Sequence, residues 1–69
     1  MTEQQKQILD YIQEYGSITP YQAFADLGIT KLSTRIGELS VLGGYTFNKQ
    51  WETKKNRFGK TVRYMRYSL

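Results

Sequence analysis

The spacing of apolar residues changes once along this chain, and the change falls at the Gly43-Gly44 pair. Before it, Ile8, Leu9, Ile12 and Tyr15 recur at helical intervals, and Leu32, Ile36 and Leu39 do so again. After it the interval drops to two. Tyr45, Phe47 and Trp51 share one parity, while Thr46, Asn48, Gln50 and Glu52 take the other, which predicts a strand with one covered face. Helices come first and a hairpin last, an α+β order. An isolated hairpin is unstable in water, so this one has to lie against the helices. Little else can brace it. The 69 residues include neither Cys nor His, which removes disulfides and the usual metal staples from a chain that buries only about 60% of its unfolded surface. The expectation is one small domain spanning residues 1–69.

Local punctuation divides the helical half. Thr2 with Gln5 forms a capping-box pattern for a first helix over about Glu3–Tyr15, and Gly16 is its expected left-handed terminator. Thr19 with Gln22 repeats the pattern, with Pro20 at the first helical position. This second helix is about two turns long, turns Ala23, Phe24 and Leu27 to the core, and stops at Gly28. Thr30 is the expected cap of a third helix, with Leu42 at the edge of its apolar stripe. In the hairpin, Lys55 to Gly59 reads as the turn, and residues 60–69 return with Val62 and Tyr64 inward. The alternation blurs over Tyr64-Met65-Arg66-Tyr67, which leaves the register open there.

The formal net charge is +4 and the pI about 9.5, but the charge is unevenly distributed. Residues 1–30 hold Glu3, Asp10, Glu14 and Asp26 against Lys6 alone. Residues 31–69 hold nine cations against Glu38 and Glu52. A positive pole of this kind steers polyanions. An anionic membrane calls for a basic amphipathic helix, whereas these cations lie mostly in predicted strands, which favours nucleic acid. The plain alternative is a solvated face that maintains solubility. No apolar run approaches the roughly 18 residues of a membrane span, and the polar start, MTEQQKQILD, is no signal peptide. A cytoplasmic location is expected.

Two helices joined through a tight turn at Gly28 have the form of a helix-turn-helix, whose second member enters the major groove of double-stranded DNA. On the predicted outer side of that third helix are Ser33, Thr34, Gly37 and Val41, with Lys31 and Glu38 at one flank and Arg35 nearer the core margin. Ser33 and Thr34 are small enough to approach base edges, and Lys31 and Arg35 can reach phosphates. Arg35 can equally lay its stem over the core edge while its head reaches water or an acidic residue of the first helix. Glu38 can accept from a cytosine amino group or serve as an outward ion-pair partner. Gly37 in a helix interior costs about 1 kcal/mol relative to Ala. Close approach to DNA is one reason for it; tight packing against the hairpin, or no special reason, is the alternative. The hairpin then acts as a wing, with Lys54, Lys55, Asn56, Arg57, Lys60 and Arg63 as its contacts to the minor groove or its phosphates. Lysines there also guard an exposed strand edge against aggregation. Phe58 is the one aromatic expected in solvent; most others fall at core parity.

No catalytic constellation appears. The carboxylates lack metal-ligand spacing, no His can activate Ser or Thr, and the glycines lack a P-loop context. No enzyme activity and no cofactor are expected. The stretch from Ile8 to Tyr45 that includes GSITPYQAF and LGITKLSTRI, with the NRFGK turn, resembles small winged helix-turn-helix proteins of phages and prophages. The resemblance covers nearly the whole chain. It implies DNA binding as a transcriptional regulator or an excisionase-like recombination accessory, with Lys31, Ser33, Thr34 and Arg35 toward DNA and Asn56, Arg57 and Lys60 on the wing. Gly37 and Ser40 depart from the polar and basic residues expected at their positions. One recognition helix reads few base pairs, so a homodimer or a cooperative array on repeated half-sites is expected. The rival reading is a phage-encoded module that docks on a host nucleic-acid-acting protein.

Overall fold

The computed structural model describes all 69 residues. Helices α1 (Glu3–Tyr15), α2 (Pro20–Leu27) and α3 (Leu32–Leu42) precede the antiparallel strands β1 (Asn48–Lys55) and β2 (Thr61–Ser68). Both expected capping boxes form. Thr2 Oγ1 accepts from the Gln5 amide at 3.2 Å, and Gln5 Oε1 accepts from the Thr2 amide at 3.0 Å. Thr19 and Gln22 repeat these bonds at the same two distances. Gly16 (φ 91°) and Gly28 (φ 69°) close the helices in the left-handed conformation that side chains disfavour.

The start of α3 differs from expectation. Lys31, not Thr30, is its cap residue, and no side chain caps its first turn. The cause lies in the preceding connection, where Ile29 is buried and its amide donates to the Ala23 carbonyl at 3.0 Å. That anchor fixes the turn, and the helix begins one residue later than capping chemistry alone dictates.

Ten residues make the core: Ile8, Ile12, Ile18, Ala23, Ile29, Leu32, Ile36, Leu39, Phe47 and Tyr67. Ile18 is fully buried and exchanges two backbone hydrogen bonds with Tyr67, each 2.9 Å long. This single antiparallel bridge ties the α1–α2 connection to the end of the hairpin. Tyr15 and Phe24, expected in the core, are exposed. Each lies on the outer side of its helix, where no third layer exists to cover it.

The register runs from Asn48↔Ser68 to Lys55↔Thr61. One hairpin face carries Lys49, Trp51, Thr53 and Lys55 with Tyr67, Met65, Arg63 and Thr61; the other carries Gln50, Glu52 and Lys54 with Arg66, Tyr64 and Val62. Only the base of the first face reaches the core, through Tyr67 and partly buried Met65. Val62 and Tyr64, expected inward, stand on the opposite face, where Tyr64 is half-buried beside Thr19, Tyr21 and Gln22 and Val62 is exposed. Trp51 shares the first face and pairs with Met65, yet it is exposed. The molecule measures 39 × 21 × 21 Å, as an extended hairpin on a small helical body requires.

Candidate nucleic-acid interface

Burying Leu32, Ile36 and Leu39 turns the rest of α3 outward. Lys31, Ser33, Thr34, Gly37 and Val41 are all exposed, as the helical spacing predicted. A Cβ built on Gly37 meets nothing within 4 Å. Packing under the hairpin therefore does not explain this glycine.

Arg35 and Glu38 form an ion pair, one of the two roles the sequence allowed each of them, but with each other and not with an acidic residue of α1. The Arg35 Nη1 donates to both Glu38 oxygens, at 2.6 and 2.7 Å, and its Nε donates to Gln4 Oε1 at 3.3 Å. Gln5 Nε2 donates to the same carboxylate at 2.9 Å. The pair thus clasps α3 to the first turn of α1. Hydrogen bonding from Arg35, then from Gln5, holds the Glu38 carboxyl below its ordinary range. Spacing of three residues on a helix was the sequence signal for this pair; its docking on Gln4 and Gln5 is tertiary.

The wing splits in the same way. Arg63 lies over the Trp51 ring, 4.4 Å from its centroid, and the Lys54 ammonium lies 5.5 Å from the Tyr21 ring. The second contact sets the hairpin beside the N-terminal turn of α2. Asn56 organises the turn: its Oδ1 accepts from the amides of Phe58 and Lys60 at 2.9 and 3.1 Å. Lys55, Arg57 and Lys60 are exposed and form no ion pair, and the same holds for Lys31. Arg66, which sequence reasoning left in the general basic charge, is structural. It donates to Glu52 Oε2 at 2.7 Å and to Ser17 Oγ at 2.8 Å, fastening β2 to β1 and to the α1–α2 connection. That bond from Arg66 is the main cause that lowers the Glu52 pKa.

A separate groove between α1 and α2 is acidic. Asp10, Glu14 and Asp26 line it with Tyr11 and Tyr15. The Tyr11 hydroxyl donates to Asp26 Oδ2 at 2.5 Å, and this bond, with burial and the carboxylate charge, pushes its pKa up to about 12. No helix is long and apolar enough to cross a membrane.

Three helices, a tight turn between the second and third, and a terminal hairpin braced by one bridge constitute a winged helix-turn-helix, an architecture whose partner is DNA. Among curated proteins and solved structures, none matches the chain significantly. A family model described as the winged helix-turn-helix domain matches residues 3–69, and the chain belongs to that family.

Proposed function

We propose that residues 1–69 act as one unit that binds double-stranded DNA, with α3 in the major groove and the hairpin tip on the adjacent minor groove or its phosphates. The observation that carries this reading is the outer surface of α3. Ser33, Thr34 and Gly37 form a low, polar strip over which the protein itself places nothing. Lys31 stands at the start of that strip, and Lys55, Arg57 and Lys60 at the wing, each without an internal counter-ion. Lys31, Ser33, Thr34 and Gly37 are the contacts we assign to α3, and Lys55, Arg57 and Lys60 those we assign to the wing. Arg35 and Glu38 set the angle of α3 on α1, Lys54 and Arg63 stiffen the wing against aromatic rings, and Asn56 shapes its turn.

A surface this short selects few base pairs, so useful selectivity comes from two or more copies on repeated half-sites. The role that fits is transcriptional control or recombination accessory work of the excisionase-like kind for a phage or mobile element, in the host cytoplasm. Binding to randomised duplexes at two salt concentrations tests the reading. The native protein enriches a sequence subset, and the combined charge swap of Lys31, Arg57 and Lys60 to Glu abolishes binding. Equal retention of all duplexes by native and swapped protein overturns it.

A further inference from the structure

We propose that Phe58 is an apolar wedge that enters a base step from the minor groove and bends the duplex, an inference that rests on the duplex-binding reading above. Phe58 is 85% exposed, more than any other large apolar side chain of the molecule. It contributes little to the core, yet it occupies a turn position that a polar residue fills without cost. The backbone beneath it is held on several sides. The Asn56 amide donates to the Lys60 carbonyl at 2.8 Å, and the Gly59 amide donates to the Asn56 carbonyl at 3.0 Å. Asn56 Oδ1 adds its bonds to Phe58 and Lys60, and Gly59 takes φ 78°, which completes a type I turn with a glycine bulge. A side chain carried on such a turn is presented in a narrow range of directions, which lowers the ordering cost of inserting it.

The surroundings name the partner. Lys55, Arg57 and Lys60 flank the ring without counter-ions. A ring among unpaired cations fits a target that is apolar inside and anionic on its rim. Stacked bases between two phosphate backbones meet both conditions, and the minor groove adds negative potential. Insertion there partly unstacks one step and kinks the helix by 20–90° toward the major groove. The hairpin would then do more than grip: it would give the protein an architectural activity separable from its affinity.

The test uses the full chain and a duplex enriched by the native protein from a randomised pool at low salt. End-to-end energy transfer reports the bend for native protein, Phe58→Leu and Phe58→Ala. The native protein and Phe58→Leu bend the duplex, and Phe58→Ala leaves it near its free end-to-end distance. The salt dependence of binding stays the same in all three, because the cations remain. A mismatch at the wing step, where unstacking costs less, tightens native binding by about tenfold and leaves Phe58→Ala unaffected. A bend that survives in Phe58→Ala overturns the wedge and spares the duplex reading. Failure to enrich any duplex overturns both. Phe58-dependent binding to anionic vesicles without any duplex bend assigns the ring to a lipid surface and also overturns the wedge. Unchanged thermal melting of Phe58→Ala secures each comparison.

Discussion

Glu38 decides what Arg35 can do. A guanidinium that spends both Nη1 protons on one carboxylate and its Nε proton on Gln4 keeps only Nη2 for a phosphate, and its charge is already matched by Glu38. Because the Glu38 pKa is lowered in the fold, its contribution to stability is complete above the ordinary value of 4.5 and is lost as pH falls through the folded value. Glu38→Gln should therefore flatten the acid limb of the melting temperature below about pH 4.5, measured by circular dichroism. It should also strengthen duplex binding several-fold by releasing Arg35, and an unchanged affinity would show that Arg35 cannot reach the nucleic acid. Tyr11 works at the other end of the pH scale and with the opposite sign. Its raised pKa means that the folded state holds the phenolic proton more tightly. That stabilisation is complete below pH 10.0 and disappears as pH rises toward about 12. Tyr11→Phe should be less stable than the native protein at neutral pH and should lose less stability between those two values. Alkaline denaturation curves of the pair, recorded side by side, give the difference directly.

At the scale of elements, α3 is less stable than it could be. Gly37→Ala introduces a Cβ into open space and removes the entropy cost of glycine in a helix interior. It should stabilise the protein by about 1 kcal/mol while weakening duplex binding, and denaturant melts with a binding titration read both effects. A variant that gains stability and keeps full affinity would remove Gly37 from the interface. The hairpin depends on a different residue. Ile18→Ala should cost about 2–4 kcal/mol and increase amide exchange through β2 before α1, because Ile18 both fills the core and pairs with Tyr67. The sequence did not reveal that role, and the reason is physical. The capping boxes at Thr2 and Thr19, the stripe of α3 and the Asn-Gly turn are local, so their residues announce them. Ile18 and Ile29 lie in connections a few residues long, where no period exists to mark an inward side chain. The burial of Trp51, Val62 and Tyr64 depends on where the helices meet each side of the hairpin, and Phe24 fails because eight-residue α2 has only one covered side. The candidate site divides on the same line. Exposure of Ser33, Thr34 and Gly37 followed from helix geometry, whereas the engagement of Lys54, Arg63 and Arg66, and the docking of the Arg35–Glu38 pair on Gln4 and Gln5, arise from long-range partners.

Acidic and basic residues are unevenly distributed over the molecule, and this bears on how it meets a polyanion. Asp10, Glu14 and Asp26 gather in the groove against α1 and α2, while cations without counter-ions stand at the start of α3 and on the wing. An approaching duplex repels the first group and attracts the second, so encounters are oriented before contact. Steering and neutralisation then separate experimentally. Each phosphate that a cation neutralises contributes about −0.9 to the slope of log affinity against log salt. Lys31, Lys55, Arg57 and Lys60 in contact together give a slope of about −4, and Arg57→Gln with Lys60→Gln should reduce it to about −2. Replacing Asp10, Glu14 and Asp26 with their amides should leave the slope intact, since these groups touch no phosphate. Their loss removes the orienting field, so association at low salt should change while dissociation stays constant. Stopped-flow titrations across a salt series measure the slope and both rates together. A slope that ignores the wing substitutions would place the phosphates elsewhere on the surface, and a slope that follows the acidic ones would mean that the two groups are not independent.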